Sequence, residues 1–246
     1  MKGELSTEMP SNPAKSRKTQ DELKQEAAKA AASLIEPGMV VGLGHGTTAL
    51  FAIQYLGQRI AAGELPGIRA IPCSRQAEET ARNLGIELIG FDDAGAVDLT
   101  IDGADEADPD FNVIKGGGGA LLREKVVAQN TRREIIVVDE SKLSPRLGTR
   151  WAVPIETLPF ACRPVADYLE HLGGKVSQRK TATGEPFYSE QGNFILDSDF
   201  GPINDPHHLA AELSTRAGIF DHGLFLGLVH DIIVAGQDGV RFLQRP

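Results

Sequence analysis

Thiols are scarce in this chain: Cys73 and Cys162 are the two cysteines in 246 residues, too few for a disulfide framework, and nothing in the sequence suggests export. No stretch approaches the ~20 apolar residues that a membrane span requires. The opening segment, MKGELSTEMPSNPAKSRK, lacks the apolar centre of a secretory signal. Its Pro, Ser and Lys content reads as a flexible tail over residues 1–18. Positive charge is also short, with 25 Lys and Arg against 34 Asp and Glu, a net charge of −9. That balance argues against a nucleic-acid surface, and a cytoplasmic location is the default expectation. An acidic chain that binds a phosphate must gather its positive potential locally, from a few lysines and backbone N–H groups.

What is present is an ordinary globular mix, 41% hydrophobic and 24% charged. Thr19-Gln20-Asp21-Glu22 reads as a capping box, and Leu23, Ala27, Ala28, Ala31, Leu34 and Ile35 follow at helical spacing until Pro37-Gly38. Met39–Leu43 is a short apolar run, Gly44–Thr48 a turn, and Ala49–Ala62 a helix. Ile68–Ile71, Ile86–Gly90, Val97–Ile101 and Glu134–Val138 are strand-like, with helices at Gln76–Asn83 and Ala120–Asn130. This alternation predicts a parallel sheet covered on both faces, a Rossmann-like three-layer α/β unit with ligands at the carboxyl ends of its strands. After Arg150 the rhythm changes. Residues 151–221 read as a smaller α+β unit inserted before the C-terminal strands, and residues 222–246, including Gly223–Val229, are expected to rejoin the main sheet formed by residues 19–150.

Three segments carry candidate chemistry. In Gly42-Leu43-Gly44-His45-Gly46-Thr47-Thr48, glycines let N–H groups converge at the start of a helix, which suits an anion; a tight turn with Thr as N-cap is the plainer reading. The third glycine of G-x-G-x-x-G is replaced by Thr47, and no Gly-Lys pair exists for a Walker A loop. Asp102 ends a predicted strand, and Asp105 lies three residues on. An EF-hand fails because its sixth and twelfth positions are Ala107 and Val113, and Glu106, Asp108 and Asp110 read as solvated. Lys115 is followed by four consecutive glycines, Gly116 to Gly119, leading into an apolar helix. Such a run is explained by close approach of backbone to a ligand better than by a linker. On that helix Glu124 shares a face with Ala120, Val127 and Ala128. A carboxylate on an apolar stripe is partnered, functional or a boundary residue reaching solvent, and desolvation would raise its pKa toward that of a general base. Lys142 stands just past another strand's carboxyl end.

Together and in order, TQDELK, GLGHGTTA, IDGADE, KGGGGALLREK, VVDESK, FGPINDP, GLFLG and DGV resemble type A ribose-5-phosphate isomerase, from about Thr19 to the C-terminus. The resemblance implies a Rossmann-like domain with a ferredoxin-like insertion, and interconversion of ribose 5-phosphate and ribulose 5-phosphate through an enediol(ate). It implies neither metal nor organic cofactor, and a homodimer or homotetramer. Glu124 falls on the family's proton-transferring carboxylate, and Asp102, Asp105 and Lys115 fall on the charges around the reacting carbons. Gly103, Ala104, Gly116, Gly117 and Gly118 fall on substrate-contacting backbone, Lys24 and Lys142 on substrate-binding basic positions, and His45, Gly46, Thr47 and Thr48 on the substrate loop. The resemblance thus implies that Lys115 and glycine N–H groups stabilise the oxyanion. The family loop usually reads Gly-Thr-Gly-Ser-Thr, so His45 is a departure; it is larger than Thr and can be cationic. A sensor on the same fold, an isomerase for another sugar phosphate, and acyl transfer through Cys73 or Glu124 are the competing readings.

Overall fold

The computed structural model describes residues 17–245, so residues 1–16 of the expected tail lie outside the described residues. Lys18 is fastened: its N–H donates to Gln237 Oε1 at 2.9 Å and its ammonium meets Glu26 at 2.6 Å. The Thr19 capping box opens α1 (Gln20–Ala32) as its sequence predicts. The Glu22 N–H donates to Thr19 Oγ1 at 3.3 Å, and the Thr19 N–H donates to the Glu22 carboxylate at 2.7 Å.

Strand and helix then alternate: β1 (Val40–Leu43), α2 (Thr47–Ala61), β2 (Arg69–Pro72), α3 (Arg75–Asn83), β3 (Glu87–Leu88), the short α4 (Phe91–Ala94) and β4 (Leu99–Asp102). A two-residue pair, β5 (Glu106–Ala107) and β6 (Val113–Ile114), precedes α5 (Leu121–Gln129) and β7 (Glu134–Asp139). The smaller unit supplies β8 (Val153–Thr157), α6 (Cys162–His171), β9 (Lys175–Gln178), β10 (Phe194–Asp199), α7 (Pro206–Thr215) and β11 (Ile219–His222). The chain ends with β12 (Leu224–Phe225), β13 (Asp231–Gly236) and β14 (Gly239–Gln244).

The main sheet has seven strands in the order β14-β13-β7-β4-β1-β2-β3, all parallel except the terminal β13–β14 hairpin. Its central strands are buried on both faces, which is why they read as unbroken apolar runs. Helices α1, α2 and α3 pack over Val41, Ile101, Ile135 and Val137 on one face, while Ala128 of α5 packs with Ile136, Val138 and Val234 on the other. The result is three layers. The chain leaves β1 toward β2 and β3 on one side and continues from β4 toward β7 on the other. The carboxyl ends of β1 and β4 therefore flank a topological switch point, where open α/β sheets take ligands.

The smaller unit runs β-α-β-β-α-β, and its antiparallel sheet has the order β11-β8-β10-β9, the ferredoxin-like arrangement. One expectation needs correcting. Gly223–Val229 does not rejoin the main sheet, because only Leu224–Phe225 is extended and it pairs with β6. Gly223 is already committed elsewhere, donating to the Pro154 carbonyl of β8 at 2.7 Å and accepting from the Lys115 N–H just past β6 at 2.9 Å.

A second correction concerns the acidic turn. Asp110 is exposed, but Asp108 is buried and accepts from the N–H groups of Asp110 and Asn112, each at 2.9 Å. Glu106 is buried outright, and its carboxylate accepts from the N–H groups of Gly148, Arg150 and Trp151 at 2.9, 3.0 and 3.2 Å. It organises the passage into the smaller unit by satisfying backbone that would otherwise be buried unpaired. Glu106→Ala is expected to lower the unfolding free energy by roughly 3 kcal/mol, measured by urea denaturation. A loss under about 1 kcal/mol would refute that role.

Candidate active site

The switch point holds a cavity of about 140 Å³. Its walls are the loop after β1, the turn after β4, the glycine run and the first turn of α5, and they include His45, Thr47, Thr48, Asp105, Lys115 and Glu124. Gly46, Gly103, Ala104, Gly116, Gly117 and Gly118 complete the lining. Of the residues singled out from the sequence, Asp102, Lys24 and Lys142 lie outside that wall.

Asp102 lies beneath it. At 1% exposed, its Oδ1 accepts from the N–H groups of His45 at 3.0 Å and Gly103 at 2.7 Å, while Oδ2 meets Lys115 Nζ at 2.9 Å. Only glycine at position 44 leaves room for this carboxylate, since a Cβ there would overlap it. Asp102 therefore fastens the β1 loop to the β4 turn. Lys24 stands at the rim, its Nζ 3.4 Å from Thr47 Oγ1. The Lys142 ammonium stacks over the Trp151 ring, 5.0 Å from its centroid, close enough for its charge to act on Asp105.

Lys115 is the hub. At 2% exposed it donates to the Gly103 carbonyl at 2.5 Å and lies 2.9 Å from Asp102 and 3.3 Å from Glu124 Oε1. An ammonium has three protons, and here all three are engaged. Burial opposes the charge, but Asp102 and Glu124 outweigh it and hold the pKa above the lysine range. Glu124, 4% exposed, offers Lys115 one oxygen; Oε2 has no partner among the described residues. Burial raises its pKa to about 8 against the pull of Lys115, and the charges of Asp102 and Asp105 push the same way. The Glu124 carboxyl is thus placed to take and return a proton near neutrality.

Asp105 shapes the glycine run. Its Oδ2 accepts from the Gly117 N–H at 2.7 Å, and burial raises its pKa. Gly116 and Gly119 have φ of 101° and 82°, values that favour glycine, and the Gly119 N–H closes a turn on the Gly116 carbonyl at 3.0 Å. At the other wall Gly46, φ 88°, caps α2 without a side chain. That leaves the helix N-terminus, with Thr47 and Thr48, available to an anion.

Two site features escape the sequence reading. Arg179, just beyond β9, donates through Nη1 to the carbonyls of Gly116 and Gly117 at 2.9 and 2.8 Å, while Asp197 of β10 holds its Nε at 2.9 Å. The second is Glu134, 2% exposed at the start of β7, whose Oε2 has no partner among the described residues. Burial and Asp102 keep its carboxyl well above the usual range. Neither residue belongs to a local motif, so neither announces itself in the sequence.

Two alternatives that the sequence left open are removed. Burial lowers the His45 pKa, so the imidazole is neutral at physiological pH and supplies no cation to a phosphate. Cys73 is fully buried, and burial pushes its thiol well up, which removes it as a nucleophile. In protein labelled with ¹³C at glutamate carboxyls, one resonance absent from Glu124→Gln is expected to titrate near pH 8. Its titration near pH 4.5 instead would refute the desolvated environment.

The family model Ribose 5-phosphate isomerase A (phosphoriboisomerase A) matches residues 69–239. Ribose-5-phosphate isomerase A of Chloroflexus aurantiacus is 56% identical over 218 residues, 89% of this chain and 91% of that one. The Desulfatibacillum aliphaticivorans protein of the same name is 53% identical over 223 residues, covering 91% and 97%. A D-ribose-5-phosphate isomerase solved in complex with phospho-erythronic acid superposes with a TM-score of 0.91 at 36% identity, covering 93% of this chain and all of that one. The Plasmodium falciparum ribose 5-phosphate isomerase gives 0.88, also at 36% identity, with 91% and 98% covered. A buried Lys–carboxylate hub at the switch point, a glycine-walled cavity and full-length similarity converge: the chain belongs to the ribose 5-phosphate isomerase A family.

Proposed function

We infer that this chain interconverts D-ribose 5-phosphate and D-ribulose 5-phosphate, an aldose–ketose isomerisation of the non-oxidative pentose phosphate pathway. The observation that carries the assignment of roles is Glu124: a buried carboxyl, paired to Lys115 through one oxygen and unpaired at the other, at the wall of a cavity of substrate scale. As carboxylate it removes the C2 proton of the open-chain aldose, and the electron pair forms the C1–C2 double bond of an enediolate. Return of that proton to C1, with the O2 proton passing to O1, completes the ketose. Proton transfer of this kind contributes roughly 10²–10⁴-fold.

The developing oxyanion is met by the Lys115 charge and by backbone N–H groups. The ammonium's protons are already engaged, so hydrogen bonds to the oxyanion come from the glycine run, or from Lys115 as it releases Glu124. Asp105, which lines the cavity, holds a hydroxyl and assists ring opening, while Asp102 acts from beneath the wall by holding Lys115 and the β1 loop. Lys24, Thr47, Thr48 and the α2 N-terminus grip the phosphate, with Lys142 adding charge, and this remote grip positions the carbons for reaction. A sugar-acid phosphate such as phospho-erythronic acid carries its carboxylate where an enediolate carries its oxygens, which suits a site built this way. The reading includes two structural units, residues 19–150 with 222–246 and residues 151–221; one hydrophobic cluster lies within the first, and a second, centred on the smaller unit, also takes in Ile114, Leu147 and Leu224. It also includes a cytoplasmic location and a homodimer or homotetramer.

Ribose 5-phosphate turnover in EDTA is expected for the wild-type chain. Glu124→Gln is expected to lower kcat roughly 10³-fold, with Kd measured by calorimetry changed less than about threefold; turnover within tenfold of wild type would overturn the assignment. Because the base acts ionised and its pKa is raised, kcat/KM is expected to climb with pH and level off above about 8. A profile already flat from pH 5.5 would contradict that.

A further inference from the structure

His45 is the larger of two departures of the β1 loop from the usual family pattern, Thr47 keeping the hydroxyl of the usual Ser, and its ring lies against the glycine run. A Cβ built on Gly118 would meet three heavy atoms first, and all three belong to the His45 imidazole: Nε2 and Cδ2 inside van der Waals contact, and Cε1 at 3.3 Å. The φ of Gly118 lies outside the left-handed region, so its backbone does not require glycine. Its neighbours differ. Gly116 and Gly119 have positive φ, and a Cβ on Gly117 would strike the Asp105 carboxylate at 2.6 Å. With the imidazole in this position, a side chain at 118 would overlap it, and the ring would have to move or be replaced to make room.

Both residues line the cavity. The Gly118 N–H has no hydrogen-bond partner among the described residues, and neither does the buried His45 Nδ1. His45 is itself anchored, through its own N–H on Asp102 Oδ1 at 3.0 Å. The ring thus bridges two walls, being fixed to the β4 end by its backbone and seated on the glycine run by its side chain.

We propose that His45 is a positioning residue that shares one space with Gly118, its ring setting the height of the glycine run so that the free Gly118 N–H faces the reacting end of the sugar phosphate. This rests on the reading that the sugar phosphate reacts in this cavity. The pair is an interlock: a larger residue at 118 requires a smaller one at 45. Displacement of the run by about 1 Å is the kind of misplacement that costs roughly 10²-fold in rate.

The test is a double-mutant cycle of His45→Thr, Gly118→Ala and the two together, read by kcat, KM and thermal midpoint. Gly118→Ala alone is expected to lower kcat roughly 10²-fold with KM changed less than about threefold, and to lower the midpoint. Adding His45→Thr is expected to restore the midpoint and bring kcat back to within about fivefold of the His45→Thr enzyme. The proposal is overturned if Gly118→Ala is as active as wild type, if the double variant is no better than Gly118→Ala, or if midpoints move while kcat per folded molecule does not. Should the wild-type chain fail to turn over ribose 5-phosphate, the functional reading falls and takes the catalytic half of the proposal with it. The sharing of space is judged separately by whether the midpoint recovers in the double variant.

Discussion

One buried ammonium orders this site. Lys115 reaches the sheet–helix interface with 2% of its surface exposed, and its ammonium meets the Gly103 carbonyl and the Asp102 carboxylate on the β4 turn and the Glu124 carboxylate on α5. A lysine removed from water is tolerated only where such partners replace it, and removing one partner from a buried pair costs about 3–5 kcal/mol. The β4 turn, the end of β6 and the first turn of α5 are consequently held in one relation. Asp102 extends the same constraint to the β1 loop through the His45 N–H.

The surplus of negative charge around that lysine is what makes the site reactive. Asp102, Asp105, Glu124 and Glu134 crowd a region with one central cation, and they cannot all be ionised cheaply in a desolvated setting. Asp102 is the best provided, with two N–H donors and the ammonium. Glu124 has only its share of Lys115 and Glu134 leaves Oε2 without a partner among the described residues, so burial raises the pKa of both. Two carboxyls with the same chemistry thereby diverge by environment alone, one locked into the hydrogen-bond frame and the other left with an unpartnered oxygen among the described residues. The overall acidity of the chain does not leave the site without positive potential: Lys24 stands beside Thr47, Lys142 lies over Trp151, and the α2 start carries no side-chain cap.

Much of this was legible in the sequence for identifiable reasons. A parallel sheet buries both faces of its strands, so Met39–Leu43 and Glu134–Val138 stand out as apolar runs, and the capping box fixes where α1 begins. Glu124 could be picked out because helical spacing sets it among Ala120, Val127 and Ala128, and Asp102 because it ends a strand. Residues that act at a distance were illegible. Arg179 and Asp197 contribute through contacts with a loop about sixty positions away, and no local pattern encodes that. Glu106 looked like part of a solvated acidic turn, since its three N–H partners come from a segment more than forty residues downstream. His45 was read by its capacity for charge, whereas its burial makes bulk the property that counts.

The Arg179 bridge bears on how freely this architecture can be recombined. The guanidinium belongs to the inserted unit, yet the two carbonyls it grips lie in the catalytic glycine run, while Asp197 on the neighbouring strand keeps it aimed. The insertion is thus a structural member of the reaction centre as well as an appendage to it. Chimeras between relatives would have to inherit the arginine, its aspartate and the matching loop as a single block, so crossovers that separate them fall at the wrong seam even where the hydrophobic clusters would tolerate the cut.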